Sequence, residues 1–150
     1  VPDVPGSAAA IFNLVAQQGA NIDMIVQNVQ TQNDGVTDIS FTLPKVSADN
    51  VLRALENAHD ELGYESLRFD DQICKVSLVG AGMRTNIGVS ATLFEALSEA
   101  GINVDMISTS EIRISVLTAA TLASRATQVI HEAFGLDGDS EAVVYAGTGR

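Results

Sequence analysis

At 150 residues and 15.7 kDa the chain suffices for one ordinary domain or two small ones of about 70 residues each, and 46% hydrophobic residues supply a core for either, against disorder. Eight Lys and Arg against nineteen Asp and Glu give a net charge of −11, which disfavours nucleic acid or an acidic membrane surface as a partner. Apolar runs such as Met24–Val26 and Val76–Val79 fall far short of the roughly 20 residues that cross a bilayer, no basic-then-apolar leader precedes them, and a lone Cys74 forbids an internal disulfide or a multi-cysteine metal site, so the expectation is a soluble chain in a reducing compartment, the cytoplasm.

In chain order, Pro5-Gly6-Ser7 opens a predicted helix with Ala8, Ile11, Phe12 and Val15 at helical spacing, and Gly19 closes it. Ile22–Val29 is an apolar-rich strand. Asn33-Asp34-Gly35 is turn chemistry, and Ile39, Phe41 and Leu43 then alternate with Ser40 and Thr42, the period of a strand with one buried face. Ser47 or Asp49 begins a second helix with Val51, Leu55, Ala58 and Leu62 on one stripe, and a short strand follows at Glu65–Phe69. After a join near Asp70–Cys74 the order recurs: a strand at Lys75–Val79, a loop from Gly80 to Ile87, and a helix from about Gly88 to Ala100. Strands at Ile102–Ser108 and around Ile112, Ile114 and Val116 are linked by a Thr109-Ser110 turn. A helix then carries Leu122, Ala126, Val129 and Ala133, and Glu141–Tyr145 is the candidate closing strand.

The recurrence is a sequence repeat. A shift of 82 lays Gly6 on Gly88, Phe12 on Phe94, Gly19 on Gly101, Asn21 on Asn103, Asp23 on Asp105, Met24 on Met106 and Ile25 on Ile107. Past a longer first-copy insert the shift becomes 75, placing Ile39 on Ile114, Ser40 on Ser115 and Leu55 on Ile130. Two copies of so long a unit predict two small domains, residues 1–72 and 73–150, and not a solenoid. Each unit reads as strand, helix, strand, strand, helix, strand, the α+β split βαβ of ferredoxin-like sandwiches, with both helices on one sheet face because only one side of the strands is apolar. The first copy begins after its expected opening strand, so that strand is absent from this chain or supplied by another molecule, and an edge so exposed favours a partner chain or an upstream segment.

Catalytic signatures are weak. Gly80-Ala81-Gly82 after a strand suggests a dinucleotide loop, but the third glycine of that fingerprint falls at Thr85 and Gly88 comes three positions late. His59 and His131 lack acidic partners at metal spacing. Asp70-Asp71 reads as solvated linker, Cys74 as a small buried apolar residue, and there is no nucleophile elbow or phosphate-cradling Gly-Lys-Ser/Thr loop. The repeated helix starts say more. Pro5-Gly6-Ser7-Ala8-Ala9 and Ile87-Gly88-Val89-Ser90-Ala91 put small residues where free helix N–H groups emerge, a setting suited to a carboxylate. The repeated Gly-x-Asn-x-Asp-Met-Ile at 19–25 and 101–107 begins the next strand and is expected to face the same ligand, with Asp3, Gln27 and Glu111 available to an ammonium group. The same residues fit a plain structural role equally: Gly19 and Gly101 end helices, and Asn21 and Asn103 bond to the turn.

Pro2–Ala9, Asn21–Val29, Thr37–Thr42, Lys75–Met83, Ile107–Leu117 and the tail Glu141–Arg150 together resemble the regulatory region of bacterial aspartokinase, the tail that of the actinobacterial form. The resemblance implies two tandem ACT domains, the first without its opening strand here. It implies a role in feedback inhibition by lysine and threonine bound between ACT units, in an enzyme that phosphorylates the aspartate side chain. No cofactor is implied on this chain: ATP and Mg belong to the family's kinase domain, and without it the chain alone should be inactive. In some members the region is also a separate β subunit that pairs with a catalytic α subunit, implying an ACT-mediated dimer or heterotetramer, with neither nucleic acid nor membrane as partner. Carried over by position, the effector residues are Asp3, Val4, Pro5, Gly6, Ala8, Asn21, Ile22, Asp23 and Gln27 from the first copy and Asn103, Val104, Ser110 and Glu111 from the second. Other members often carry a charged residue at the places of Val4 and Ser7 and a small one at Gln30, which bears on effector preference. A scaffold role in subunit assembly is the alternative.

Overall fold

A computed structural model describes residues 1–28, 34–80 and 88–135, and the backbone of 144–148. The chain divides into two compact units, Val1–Phe69 and Asp70–Thr148.

In the first unit, helix α1 (Ser7–Gln17) presents Ile11 and Val15, one turn apart, to the core. The chain leaves it through Gly19, whose φ of +70° is a left-handed conformation that costs glycine nothing. Strands β1 (Ile25–Gln27) and β2 (Ile39–Phe41) pair antiparallel with Ile25 opposite Phe41 and Gln27 opposite Ile39. Helix α2 (Ala48–Asn57) follows a single 3₁₀ turn at Lys45–Ser47 and buries Val51 and Leu55. The expected stripe through Leu62 is interrupted at Ala58, and α3 (His59–Leu62) resumes it as a separate turn, closed by left-handed Gly63. The core gathers Ile11, Val15, Val51, Leu55 and Leu62, with Phe12, Ile39, Phe41 and Tyr64 packed around it. Phe12 meets Phe41 edge-on at 5.5 Å, and Tyr64 donates its hydroxyl to the Leu55 carbonyl at 3.1 Å, fastening the outgoing chain to α2.

Three expectations change here. Glu65–Phe69 forms no strand; it runs exposed, with Leu67 and Phe69 in the open. In this fold a closing strand pairs with the opening one, and among the described residues only the end of that slot is filled. Val1–Asp3 fills it, lying antiparallel to Gly35–Thr37 through Thr37 N–H to Val1 O (2.8 Å), the Val1 amino group to Thr37 O (2.9 Å) and Asp3 N–H to Gly35 O (2.8 Å). The strand expected over Ile22–Val29 is ordered as such only at Ile25–Gln27, residues 29–33 lying outside the described residues together with part of the expected turn. Finally, Thr42, placed by alternation on the solvent face, is buried.

The second unit is the complete ferredoxin-like form. Strand β3 (Ile73–Val79) leads to helix α4 (Val89–Glu99), strands β4 (Met106–Thr109) and β5 (Arg113–Ala119), helix α5 (Ala123–Ala133) and strand β6 (Val144–Thr148). The sheet order β4-β5-β3-β6 is antiparallel throughout, so β6 occupies the closing position, three residues further on than the expected Glu141–Tyr145, of which 141–143 lie outside the described residues. Cys74, Val76 and Leu78 of β3 and Ile114 and Val116 of β5 pack against Leu93 and Leu97 of α4 and Ala126 and Ile130 of α5. Ile102 was expected in the strand, but its amide still bonds to Leu97 O as part of the helix exit, and its side chain enters this core. Ala133 is exposed and is not on the buried stripe. The expected solvent-facing side of the sheet is also withdrawn from water at Ser77, Ser115 and Leu117. Ser77 and Ser115, directly opposite in register, share a buried hydroxyl hydrogen bond of 2.7 Å. Gly82, Thr85 and most of the expected Gly80–Ile87 loop lie outside the described residues.

Candidate functional site

Each unit opens its first helix in the same unusual way. Gly6 has φ +101° and ψ −19°, Gly88 φ +94° and ψ 0°, and among the described residues neither α1 nor α4 receives a side-chain cap or carries an acidic residue in its first turn. A helix begins with four amides that lack intrahelical acceptors. In α1 the Ser7 amide turns back weakly to Val4 O at 3.3 Å and Ala10 N–H reaches Gly6 O at 2.9 Å, while Ala8 and Ala9 in between have no side chain to cap them. Their N–H groups and the positive end of the helix dipole favour an anion. The Ser7 hydroxyl does not cap the helix: it donates to Pro2 O at 2.7 Å, holding the Pro2–Gly6 turn closed. Asp3, Val4, Pro5 and Gly6 are exposed and Ala8 is half-buried, so the turn is open to a ligand.

The remaining first-copy residues do not all gather there. Gln27 stands one residue before Asn28, whose carbonyl accepts the Thr37 hydroxyl at 2.6 Å; Thr37 is in turn paired with Val1. Gln27 therefore belongs to the helix-start end of the unit. Asn21, Ile22 and Asp23 follow directly on the far end of α1, which at 11 residues separates the two ends by about 16 Å. Within one unit the expectation that turn and strand start face a common ligand is thus corrected: they lie at opposite ends of the helix. The second unit repeats the division. Asn103 and Val104 follow the end of α4, with the Asn103 amide 3.5 Å from Asp105 Oδ1, whereas Ser110 and Glu111 form the β4–β5 turn beside the end of β3, where Gly80 N–H bonds to Ile112 O and Ser110 N–H to Arg113 O.

A feature the sequence reading missed is a bulge at each strand start. In the first unit Asp23 N–H donates to Thr42 O (3.1 Å) while Thr42 N–H donates to Met24 O (2.9 Å), so two residues face one. In the second, Asp105 N–H reaches Leu117 O (2.8 Å) although Leu117 is in register with Met106. The repeated Asp-Met pair, at the same place in both copies, was the available signal.

Elsewhere the chemistry is quiet. Burial pushes the Cys74 thiol above its ordinary range, which keeps it protonated and a poor nucleophile. His59 sits exposed against Asp60 at 3.3 Å and edge-on to Tyr64. Among the described residues no three His, Cys, Asp or Glu side chains converge as metal ligands, and no helix is long and apolar enough to cross a membrane.

The ACT domain family matches residues 1–60 and 76–134. The aspartokinase of Mycolicibacterium smegmatis is 55% identical over the whole chain, which spans 36% of that relative's length. In a crystal structure of aspartokinase α and β subunits, one chain is 46% identical with a TM-score of 0.83, over 90% of this chain and 87% of that one. The ligand-free regulatory subunit of aspartate kinase from Thermus thermophilus is 41% identical with a TM-score of 0.80, over 89% and 86%. With two ACT units in tandem and these likenesses along its length, the chain belongs to the ACT-domain regulatory family of the aspartokinases.

Proposed function

We propose that the chain binds lysine and/or threonine at ACT–ACT interfaces and conveys their occupancy to an aspartokinase catalytic α subunit as feedback inhibition of aspartate phosphorylation, in the cytoplasm. ATP and Mg2+ are handled by the kinase domain, outside this chain. The observation that carries the reading is the duplicated, glycine-opened helix start without a side-chain cap, a receptor for the α-carboxylate of a free amino acid. Asp3 and Glu111 supply charge for an ammonium group, and Gln27 or the Asn21 and Asn103 amides suit a hydroxyl. Because helix start and strand start lie at opposite ends of a unit, a ligand touching both kinds of residue bridges two units.

An effector inhibits by binding one arrangement of kinase and regulatory domains more tightly than another. Tenfold inhibition needs only about 1.4 kcal/mol of that difference, within the range of one charge-assisted hydrogen bond. Calorimetric titration of lysine and threonine, separately and together, into the chain with its α subunit tests the reading. Saturable heat is expected for at least one of them, and none from either defeats it.

A scaffold role has its own support. Ile25 and Ile107, equivalent in the repeat, are 52% and 48% exposed on β1 and β4, as strands that join subunits would be. If Gln27→Ala abolishes association with the α subunit and leaves amino-acid affinity intact, the scaffold reading prevails.

A further inference from the structure

The two strand-start bulges share backbone geometry but not the way they are held. In the first, Met24 is fastened to residue 42 in both directions: Thr42 N–H donates to Met24 O at 2.9 Å, and Met24 N–H donates to Thr42 Oγ1 at 3.0 Å, a buried bond. At the other end of β1 the Thr37 hydroxyl holds Asn28 O, and the Ser7 hydroxyl holds Pro2 O. The repeat places Val89, Ile112 and Leu117 where the first copy has Ser7, Thr37 and Thr42. Three hydroxyl-to-backbone ties of the first copy therefore have no chemical counterpart in the second.

The bond at Thr42 bears most directly on a ligand. A residue at a bulge has lost its regular ladder partner, and here the carbonyl of Thr42 is already taken by Asp23 N–H. The hydroxyl gives the buried Met24 amide a separate acceptor, so Asp23 and Met24 need not compete for one carbonyl. That fixes the backbone from which exposed Asn21 and Asp23 project. Resting on the effector-site reading above, we propose that Thr42 is a positioning residue: its hydroxyl preorganises the Asn21–Asp23 segment of the first unit for the amino-acid effector, and makes the first copy of the strand start the better-organised of the two. Thr42 touches no ligand itself. It spares the effector the cost of ordering the segment.

The test is calorimetric titration of L-lysine and L-threonine into the full chain with its α subunit, the chain carrying Thr42→Val, Thr42→Ser or Val51→Ala. Valine keeps the shape and removes the acceptor, serine restores it, and Val51→Ala lowers stability from the core without touching the bulge. The expected result is an affinity at least tenfold weaker for Thr42→Val, within about twofold of the parent for Thr42→Ser, and unchanged for Val51→Ala at a temperature where all are folded. Parent-like affinity in Thr42→Val, or an equal loss in Thr42→Ser or Val51→Ala, overturns the proposal while leaving the effector site standing. Binding of neither amino acid by the parent overturns both. Should Thr42→Val fail to fold, hydrogen exchange on the parent decides: the Met24 amide should be protected before any effector is added, and exchange at an unprotected rate overturns the proposal.

Discussion

Replacing Gly6 with alanine isolates the energy of the backbone at the helix start. An L-residue in the left-handed region costs roughly 1–2 kcal/mol, and Gly6 at φ +101° lies well beyond the usual left-handed value near +57°, so the upper figure of about 2 kcal/mol applies. An added Cβ would meet nothing within 4 Å, so no steric term joins it. Alanine also narrows the unfolded ensemble, which returns about 0.4–1 kcal/mol. The net loss is about 1 kcal/mol, read as a lower urea midpoint for the first unit with an unchanged slope. Gly6→Asn should lose less, because asparagine tolerates this region better. Gly63→Ala is the internal control: its φ of +64° and ψ of 27° are ordinary left-handed values and its Cβ would lie in normal contact with Pro2 at 3.6 Å, so its loss should be smaller than that of Gly6→Ala. If Gly6→Ala is neutral or stabilising, or Gly63→Ala is the worse of the two, the backbone argument is wrong, and with it the reason a glycine opens both helices.

Thr118 is fully buried and its hydroxyl has no partner among the described residues, so Thr118→Val should raise the second unit's thermal midpoint, by about 1 kcal/mol of stability; a fall would show that the hydroxyl is satisfied after all. Leu97→Ala, opening a hole between α4 and the sheet, should cost about 3 kcal/mol by urea unfolding. The Cys74 thiol, buried beside Ala119 O, should resist a thiol reagent at pH 8 until the chain is unfolded, and prompt labelling in the native state would contradict its placement. Desolvation first, and then the nearby Glu56 charge, hold the Tyr64 hydroxyl above its ordinary 10.0. The folded state thus retains the proton longer than the unfolded one, and the contribution is complete below pH 10 and lost as pH rises beyond it. Tyr64→Phe should flatten that alkaline loss, and an unaltered pH profile would refute the assignment.

Legibility in the sequence followed how local the determinants are. Helices α1, α2, α4 and α5 were readable because their apolar residues recur on one side, as with Ile11 and Val15 or Ala126 and Ile130. The repeat added what periodicity could not, tying a two-stranded first unit to a four-stranded second one. Glu65–Phe69 misled because its composition suits a strand, whereas forming one requires a neighbour with free backbone groups, a non-local condition. Ser77 and Ser115 were similarly opaque: alternation assigns them a face, but only the fold shows that face buried. At the candidate site, glycine and small residues announced both helix starts. The predicted helix from Ser7 to Gly19 already carried the chain away from its own start before Asn21 and Asp23 appear, and the expectation of one ligand facing both ends did not take its length into account.

Under the proposed function, that separation decides what a small effector would act on. An amino acid spans far less than the length of α1, so a ligand confined to one unit would meet either the amides at Gly6–Ala9 or the polar strand start, and its charge would stabilise that unit alone. Bridging two units, it instead favours whichever arrangement brings a helix start to a strand start, and its binding energy becomes a preference between arrangements. An effector at a hundredfold over its Kd contributes about 2.7 kcal/mol to the state it binds, enough to move an evenly poised equilibrium almost wholly to one side. The same energy spent within a unit whose core is already packed would change its stability and little else. On the proposed reading, the division of polar residues between the two ends of each helix is what would let metabolite concentration be read as domain arrangement.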